Sequence, residues 1–376
     1  MLIAVNTRLM LPGKMEGIGY FTYETLKRMT RNHPEHRFIF LFDRPFDPAM
    51  IFGENVEGIV LAPQARHPLL WYLWFEFSVP AALRKYKPDL FLSPDGYISL
   101  RTQTKTLAVI HDINFVHYPD DLPLLTRSYY RYYFPRFAMN AARIATVSDF
   151  SKKDLEKTYG ISPDKIDVIY NGASPGFKPM DAAGIALTRE KFSRGKSYFL
   201  FVGALHQRKN IANLLRAYDA FRASKGSDVL MLLAGNRKWW TGEMEDAYKN
   251  MKYKDDVIFT GRLQDDELYR VMAAAFALTF VSSFEGFGIP ILEAFNCDVP
   301  VITSNVSSMP EIAADAALLV DPFRVESISE GMIRLYKDEN LRKKLTDQGR
   351  IRRQSFSWDQ TSKSLWESIE KTISLH

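Results

Sequence analysis

The sequence is poor in cysteine. Cys297 is the only one among 376 residues, which excludes a disulfide framework and a CxxC metal or redox site. The sequence also lacks the run of about 18 uninterrupted apolar residues that a membrane-spanning helix needs, and the nearest approach, at 68–83, is interrupted by Glu76, Ser78 and Pro80. No charged segment precedes an apolar one at the start, so no signal peptide is expected. These absences predict a soluble protein of the reducing cytoplasm.

The charge is weakly positive and is not concentrated anywhere. Basic residues outnumber acidic ones by 49 to 44, a net charge of +5. An excess of this sign is typical of proteins that meet nucleic acid, an anionic membrane face or phosphorylated small molecules. The net charge is +3 over residues 1–172 and +2 over residues 173–376. Because there is no basic arm or tail, a nucleic-acid partner is not expected.

Apolar runs typical of buried strands alternate with amphipathic helical patterns along most of the chain. The predicted strands are 2–7, 37–43, 89–93, 106–110, 143–147, 166–170, 198–203, 229–235, 257–260, 277–281, 300–303 and 317–320. Predicted helices include 20–31, 69–86, 124–141 and 149–159, and the stretch 323–376 shows only helical patterns. The alternation predicts parallel sheets that are covered by helices on both faces.

The series of elements is interrupted once, by a turn-rich connector from 171 to about 197. The chain length also suggests two domains. We therefore expect an α/β fold of two doubly wound Rossmann-like domains, an N-terminal one over 1–172 and a C-terminal one over 173–356. Ligands of such sheets bind where strands end and helices begin. The functional residues are accordingly expected at a cleft between the domains.

The most informative stretch is 283–294, with the sequence SFEGFGIPILEA. It follows the predicted strand 277–281. Gly286 and Gly288 allow a tight loop after that strand, and Pro290 suits the first turn of a helix. The free amide groups and the positive end of such a helix favour an anion.

Two carboxylates belong to the same stretch. Glu285 stands in the predicted loop, and Glu293 stands about one turn into the predicted helix. Carboxylates accept hydrogen bonds from hydroxyl groups, so the arrangement fits a polyhydroxylated ligand that carries a phosphate. It fits a surface loop with two solvated glutamates equally well, and the spacing alone does not decide between them.

The stretch resembles the EX7E signature of the retaining GT-B glycosyltransferases of family 4. Further short motifs follow in the order of that family along most of the chain, each weak alone and specific in combination. They are Gly17-Ile18-Gly19-Tyr20, His111-Asp112, 147–152, Asn171-Gly172, Phe201-Val202-Gly203, Arg208-Lys209-Asn210, Gly261-Arg262-Leu263, 300–304, Pro310-Glu311 and 316–322. The resemblance implies a GT-B fold, in which two Rossmann-like domains face each other across a cleft. It also implies that a C-terminal helix at about 357–376 completes the first domain.

The resemblance implies a donor site in the second domain. Glu285 would contact the donor sugar, and Glu293 would hold the nucleotide ribose, since a carboxylate can bind a vicinal diol through two charge-assisted hydrogen bonds. The nucleobase would lie near Arg262 and Leu263, although the sequence does not identify the base. The other donor-binding residues implied are Gly286, Phe287, Gly288 and Leu292.

Arg208 and Lys209 follow the first predicted strand of the second domain. A leaving nucleoside diphosphate gains negative charge as the glycosidic bond breaks, and two fixed cations stabilise that charge more in the transition state than in the ground state. An Arg-Lys pair that caps a helix is the alternative, and the resemblance favours the diphosphate role. No Asp-x-Asp occurs in the sequence, so the usual metal clamp for a nucleotide diphosphate is missing. We expect no metal, no cofactor and a metal-independent reaction.

Gly17 and Gly19 imitate a dinucleotide fingerprint, because they precede a strand that ends at Asp43. That fingerprint needs its glycines directly after the first strand, whereas about ten residues follow Thr7 before Gly17. NAD binding is therefore rejected. The resemblance implies instead that this glycine loop approaches the donor phosphates and the acceptor.

His111 and Asp112 stand at the end of the predicted strand 106–110. A lone histidine is more often structural, but the resemblance implies that His111 contacts the transferred sugar, with Asp112 either orienting the imidazole or capping a helix. In retaining enzymes of this fold the reaction is thought to be a front-face displacement, in which the leaving phosphate takes the acceptor proton. His111 is therefore predicted to bind and to stabilise charge, not to act as a firm general base.

Two segments combine aromatic and basic residues, 66–87 and 127–137. Such helices fit an anionic membrane that presents a lipid-linked acceptor, a protein core with solvated ends, or a surface that binds a glycan. We interpret most of the first segment as core, and the second as a candidate acceptor-facing helix.

The sequence thus predicts a retaining glycosyltransferase. It would move a hexose of the mannose or glucose type from a nucleotide diphosphate sugar to a saccharide or lipid-linked saccharide, in cell-surface polysaccharide assembly. GDP-mannose is a frequent donor in the resembled family. The expected location is the cytoplasm, with peripheral contact to the inner membrane face as one option.

The alternatives lie within the same fold. One is a sucrose synthase, glycogen synthase or phosphorylase type of enzyme, although no motif for the pyridoxal lysine of a phosphorylase is seen. The other is a non-catalytic nucleotide-sugar-binding protein or membrane-associated scaffold. The presence of Glu285, Glu293, Arg208, Lys209 and His111 together argues against a scaffold.

Overall fold

The computed structural model describes residues 1–11, 13, 15–225 and 227–375. The chain forms two compact units. Unit 1 consists of Met1–Asn171 and Trp358–His376, and unit 2 consists of Gly172–Ser357. His376, which the expected helix at 357–376 includes, lies outside the described residues.

Unit 1 is built on a seven-stranded sheet within the described residues. Its strands are β1 (Leu2–Asn6), β2 (Arg37–Phe42), β3 (Val56–Val60), β4 (Leu90–Ser93), β5 (Thr106–Val109), β6 (Arg143–Thr146) and β7 (Ile166–Val168). The order is β3-β2-β1-β4-β5-β6-β7, and all pairings are parallel. The strand order therefore reverses between β1 and β4.

Helices connect these strands and cover the sheet. They are α1 (Gly17–Asn32), α2 (Pro68–Leu73), α3 (Val79–Tyr86), α4 (Asn114–His117), α5 (Leu124–Asn140) and α6 (Asp149–Tyr159). A π-helical turn, Trp74–Ser78, joins α2 to α3. The predicted single helix 69–86 is therefore interrupted, and the buried side chains of Trp74 and Phe75 confirm that this part is core.

Both faces of the unit 1 sheet are buried, as the near-continuous apolar strands predict. Along β2, Phe38, Phe40 and Phe42 face one apolar cluster, and Ile39 and Leu41 face the other. The alternation follows from the two-residue period of a strand.

Unit 2 is built on a six-stranded parallel sheet among the described residues. Its strands are β8 (Tyr198–Val202), β9 (Leu230–Ala234), β10 (Val257–Gly261), β11 (Ala277–Phe280), β12 (Val301–Ser304) and β13 (Leu318–Val320). The order is β10-β9-β8-β11-β12-β13, so it reverses between β8 and β11.

The helices of unit 2 follow its strands in alternation. They are α7 (Ala182–Ser193), α8 (Ile211–Lys225), α9 (Gly242–Lys249), α10 (Asp265–Ala273), α11 (Ile289–Asn296), α12 (Met309–Ala313), α13 (Val325–Lys337) and α14 (Glu339–Arg352). The part of the chain that the structure describes contains no helix with the length and apolar character needed to cross a bilayer.

Helix α15 (Trp358–Ser374) follows unit 2 in sequence but belongs to unit 1. Its Leu365 and Ile369 lie in the same apolar cluster as Leu26 and Met29 of α1. The Ser362 hydroxyl donates to the Thr25 carbonyl at 3.1 Å. The core of unit 1 is therefore completed by a segment from the other end of the sequence.

All twelve predicted strands are confirmed, six in unit 1 and six in unit 2. One further strand of unit 1 was not predicted. Strand β3 was not predicted, because its sequence, VEGIV, places Glu57 and Gly58 in the middle, and both residue types are depleted in strands. β3 pairs only with β2 at the sheet edge, where such residues are tolerated. A Cβ at position 58 would lie 2.3 Å from the Phe46 ring, so the glycine makes room for that aromatic side chain.

A close backbone crossing positions the segment that follows β8. A Cβ built on Gly235, just after β9, would lie 1.8 Å from the Gly203 carbonyl oxygen, just after β8. The Gly203 amide also donates to the Ala234 carbonyl at 2.9 Å. The segment after β8 therefore runs directly over the end of β9, and only glycine at 235 permits this.

We expect Gly235→Ala to destabilise unit 2 by about 3 kcal/mol, because overpacking against backbone cannot be relieved by a side-chain rotation. Urea unfolding monitored by circular dichroism measures the change. Gly242→Ala, at the start of α9 with nothing within 4 Å of its added Cβ, is the matched control and should change stability by less than about 0.5 kcal/mol. Equal stability of the two variants would contradict the close approach of the segment after β8 to Gly235.

Candidate functional site

Two loops meet in unit 2 where the strand order reverses, the position at which open parallel sheets bind ligands. After β8 the chain forms a 3₁₀ turn, Gln207–Lys209, which carries Arg208 and Lys209. After β11 it forms the loop that carries Glu285. These three predicted site residues lie together in the structure.

Glu285 is buried, with 7% of its surface exposed, and its carboxylate is shared by two cations. Arg208 Nη1 donates to Oε2 at 3.1 Å, and Lys209 Nζ donates to Oε1. Burial opposes ionisation of Glu285, but the Lys209 ammonium and the Arg208 guanidinium outweigh it and lower the pKa of the carboxyl. The cluster thus holds one negative and two positive charges out of bulk water.

Backbone contacts fix the two loops to each other. The amide and the hydroxyl of Ser283 each lie 2.9 Å from the Arg208 carbonyl oxygen. The Asn210 side-chain amide donates to the Val281 carbonyl at 3.1 Å, and Asn210 itself has a left-handed backbone, with φ of 61°. The positions of both cations are therefore set by the main chain as well as by their ion pairs.

The loop between Glu285 and α11 has the tight geometry that its glycines predict. Gly288 caps the N-terminus of α11 with φ of +99°, a conformation that side chains disfavour. Pro290 stands in the first turn of the helix. Ser308 Oγ lies 2.9 Å from the Glu285 carbonyl oxygen and 3.0 Å from that of Phe287, which ties the loop to the start of α12.

Two residues predicted to be donor-binding have buried side chains. Phe287 is 4% exposed and packs edge-on against Phe356, and Leu292 is 1% exposed. A ligand at this loop can meet the backbone of Phe287, but the side chains of both residues belong to the interior of unit 2.

Glu293 lies on α11, partly buried. Burial, and to a smaller extent the negative charge of Asp265, raise the pKa of its carboxyl to about 8. Among the described residues, no group donates a hydrogen bond to this carboxyl. At neutral pH the group is therefore largely protonated in the ligand-free chain.

Arg262 and Leu263 follow β10, next to Gly261, whose φ is +71°. The side chain of Arg262 is exposed and that of Leu263 is partly buried. A register shift in the β9–β10 pairing between Phe259 and Gly261 accompanies the turn. The structure thus places both residues on a loop beyond the end of β10.

In unit 1, His111 follows β5 with a defined hydrogen-bonding state. Its Nε2 lies 2.9 Å from the Pro94 carbonyl oxygen, and because a carbonyl only accepts, Nε2 carries the hydrogen and Nδ1 keeps its lone pair. Burial lowers the pKa of the imidazole, against the opposing effects of the Pro94 hydrogen bond, Asp112 and Asp95. The ring packs edge-on against Phe21 at 4.8 Å. His111 is therefore a neutral acceptor.

Asp112 acts on the backbone. Its Oδ1 accepts from the Asn114 amide at 3.0 Å and from the Asn114 side chain at 2.7 Å, so it fixes the turn that leads into α4. Gly17 and Gly19 lie in the first turn of α1. A Cβ on Gly19 would lie 2.7 Å from the Leu9 carbonyl oxygen, whereas Gly17 has open space around it.

A buried ion pair that the sequence motifs do not predict lies where the strand order of unit 1 reverses. Arg8, 6% exposed, donates through Nε to Asp95 Oδ2 at 2.7 Å. Asp95 also accepts from Asn6 at 2.8 Å, and the Arg8 guanidinium lies 4.4 Å from the centre of the Tyr97 ring. Arg8 and Asp95 follow the ends of strands β1 and β4. His111 was predicted as a site residue because it also follows a strand end, so the same criterion would have identified this pair.

Two families match the chain. Residues 15–177 match the family described as "Glycosyltransferase Family 4", and residues 187–352 match "Glycosyl transferases group 1". The chain is 28% identical over 356 residues to the O-antigen chain mannosyltransferase B of Escherichia coli, which covers 92% of this chain and 93% of that protein. It is 29% identical to the O-antigen chain mannosyltransferase RfbU of Salmonella typhimurium, over 73% of this chain and 72% of that protein.

Solved structures share the fold. The sucrose-phosphate synthase of Thermosynechococcus elongatus has a TM-score of 0.79 at 18% identity, covering 98% of both chains. Anabaena HepE in complex with UDP-glucose has a TM-score of 0.75 at 16% identity, covering 99% of this chain and 100% of that one. At these identities the likeness shows the GT-B fold alone.

The raised pKa of Glu293 predicts a pH-dependent stability. The ordinary pKa of a glutamate is 4.5, so between about pH 4.5 and pH 8 the folded chain keeps a proton that the unfolded chain has lost. Stability therefore falls as the pH rises through this range. Glu293→Gln mimics the protonated form and should raise the unfolding midpoint, by an amount that grows from pH 5 to pH 8.

Thermal unfolding of the ligand-free chain at several pH values measures this effect. Glu330→Gln, which removes an exposed carboxylate from α13, is the control and should show no such trend. A Glu293→Gln gain that is the same at pH 5 and pH 8 would show that Glu293 ionises normally in the folded state.

Proposed function

Because the chain belongs to the family 4 glycosyltransferases, we propose that it transfers a hexose with retention of configuration from a nucleotide diphosphate sugar to a saccharide or lipid-linked saccharide acceptor. Mannose is the sugar we propose first, since both curated relatives are named as O-antigen mannosyltransferases. Their names also support a role in cell-surface polysaccharide assembly.

The observation that carries the proposal is the cluster of Arg208, Lys209 and Glu285. Its two cations and one carboxylate leave a net charge of +1 beside the N-terminus of α11, whose amide groups add positive potential. A donor diphosphate would take the cations from Glu285 by offering more negative charge. As the bond to the sugar breaks, the leaving phosphate gains charge, and cations already held in place stabilise it without reorganisation.

The remaining site residues have supporting roles in this proposal. An ionised Glu293 would accept hydrogen bonds from the ribose hydroxyls, and because these bonds favour the charged form, donor binding would lower the pKa of Glu293. Neutral His111 would accept a hydroxyl hydrogen bond from the transferred sugar through Nδ1. Neither role requires a nucleophile or a separate general base, in keeping with a front-face displacement.

We also propose that the reaction needs neither a metal ion nor a cofactor. The two cations supply the charge that a metal would otherwise bring to the diphosphate, and the sequence has no Asp-x-Asp.

The charge-stabilising role predicts that Arg208→Ala and Lys209→Ala each lower kcat by about 100-fold, the usual effect of removing one preorganised electrostatic contact. The assay measures transfer or donor hydrolysis with and without EDTA, and the donor is chosen by thermal-shift screening of GDP, UDP and ADP sugars. Nuclear magnetic resonance of the product identifies its anomeric configuration.

The control for this experiment is Arg216→Ala. Arg216 also pairs with a carboxylate, that of Glu243 at 3.1 Å, but the two side chains are 40% and 51% exposed, and activity should stay within about twofold of wild type. Wild-type rates in the Arg208 and Lys209 variants would refute the cation role. Loss of wild-type activity in EDTA would refute metal independence, and an inverted product would refute retention.

We further propose that α5 of unit 1 contacts an anionic membrane face, where a lipid-linked acceptor would be found. Leu125, Tyr132 and Met139 are more than half exposed and recur every seven residues, so they lie on one side of the helix. Exposed Arg131 and Arg136 stand among them. Apolar side chains flanked by arginine suit the boundary of a negatively charged bilayer.

Sedimentation with lipid vesicles tests this contact. The wild type should bind vesicles that contain phosphatidylglycerol and bind less in high salt, and a variant with serine at 125, 132 and 139 should lose most of that binding. Leu187→Ser removes a side chain of unit 2 that is 74% exposed and should bind like the wild type. Binding of soluble glycan instead of vesicles through the same three residues would overturn the proposal.

A further inference from the structure

A second group of titratable side chains lies outside the residues that the proposed function uses. The loop after α1 places His33, Glu35 and His36 so that one ligand atom from each lies within 4.8 Å of the others. Glu35 Oε1 is 3.7 Å from His33 Nδ1 and 3.4 Å from His36 Nε2. Among the described residues, this is the one group of three metal-ligating side chains at such distances.

The distances suit a small divalent ion. Zinc binds imidazole nitrogen and carboxylate oxygen at about 2.0–2.2 Å with tetrahedral geometry, which places neighbouring ligand atoms about 3.4 Å apart. The separation between the ligand atoms of Glu35 and His36 already has this value, and that between Glu35 and His33 exceeds it by a few tenths of an ångström. The ligand atoms of His33 and His36 lie within 4.8 Å of each other. Two imidazoles and one carboxylate leave a fourth position for water.

The two imidazoles are held in place before any ion arrives. Both rings lie nearly parallel to the indole of Trp366 on α15, with ring centres 3.7 Å away for His33 and 5.2 Å for His36. Trp366 is 6% exposed and its indole NH donates to Glu370 at 3.1 Å. A buried aromatic platform therefore fixes the orientation of both histidines.

The backbone of the loop is fixed as well. The side-chain amide of Asn55 lies within hydrogen-bonding distance of the carbonyl oxygens of His33 and His36, at 3.3 and 3.0 Å. Pro34 restricts the loop further, because its ring sets φ. Little backbone conformational entropy therefore remains to be lost when a ligand binds.

The charges favour a cation at this position. The carboxylate of Glu35 faces both imidazoles and supplies a negative charge to the site. The carbonyl end of α1, which attracts cations, ends at Asn32, directly before His33. The Met1 amino nitrogen lies 3.2 Å from His36 Nδ1, so metal binding through Nε2 requires that Nδ1 carry the hydrogen and donate it to an uncharged Met1 amine.

We propose that His33, Glu35 and His36 form a binding site for one divalent transition-metal ion, with zinc as the first choice because of the ligand set. The bound ion would hold the end of α1 against Trp366 of α15. The bound ion would stabilise unit 1. This proposal does not depend on the transfer chemistry proposed for unit 2.

Isothermal titration of the full chain with zinc chloride tests the site. The protein carries no polyhistidine tag and is first stripped with a chelator that is then removed by dialysis. We expect one ion per wild-type chain, and binding at least ~10-fold weaker in Glu35→Gln and in His36→Gln, each of which removes a ligand. Zinc should also raise the unfolding temperature of the wild type, since it binds the folded state, and raise those of the variants much less.

His117→Gln is the matched control. His117 also pairs with a carboxylate, that of Asp154 at 2.9 Å, but belongs to no group of three, so its loss should leave zinc binding unchanged. The Glu35 side chain is 60% exposed, so the Glu35→Gln chain should fold normally. Absence of stoichiometric binding by the wild type, or binding by both variants that equals the wild type, would overturn the proposal. X-ray absorption of the zinc-loaded chain that shows no imidazole ligands would also overturn it.

Discussion

A single buried carboxylate holds the candidate site of unit 2 together. Glu285 pairs with Lys209 and Arg208 across about 76 residues of sequence, and it links the loops that follow two neighbouring strands of the sheet. Buried charges are costly unless they are paired. Two cations without the carboxylate would repel each other in a place with little water to screen them. The main chain places the two cations, and this one side chain offsets the repulsion between them and so sets the charge that an anion meets there.

Because of this side chain, any anionic ligand must compete with a carboxylate for the two cations. In the ligand-free chain the carboxylate neutralises one of the two cations, whereas a diphosphate would compete for both. A site that is already partly neutralised binds its ligand less tightly than bare cations would, but it requires no rearrangement of the loop backbone, which Ser283 and Asn210 fix independently. Transition-state stabilisation depends more on such preorganisation than on ground-state affinity.

The sequence predicts the sheets well because buried parallel strands are nearly continuous apolar runs, and this signal does not depend on distant contacts. It fails for β3, where Glu57 and Gly58 suit an edge strand and a neighbouring phenylalanine ring. The site was predicted at the level of which residues follow which strands. The sharing of Glu285 by both cations, the burial of Phe287 and Leu292, and the raised pKa of Glu293 could not be predicted, since each depends on how loops from separate strands pack. Arg8 and Asp95 could have been predicted as site residues, because each follows the end of a strand. They were not, because neither belongs to the family motifs found in the sequence.

The membership of α15 in unit 1 has a consequence for the order in which the protein forms on the ribosome. Unit 2 is encoded without interruption and can fold as soon as its last helix has been synthesised, since domains generally fold as units during synthesis. Unit 1 is translated first, but the apolar faces of Leu26 and Met29 remain uncovered until α15 emerges, after the whole of unit 2. The earlier half of the sequence is therefore the later half to be completed. While it waits, its exposed apolar surface is the part of the nascent chain that most needs protection from aggregation.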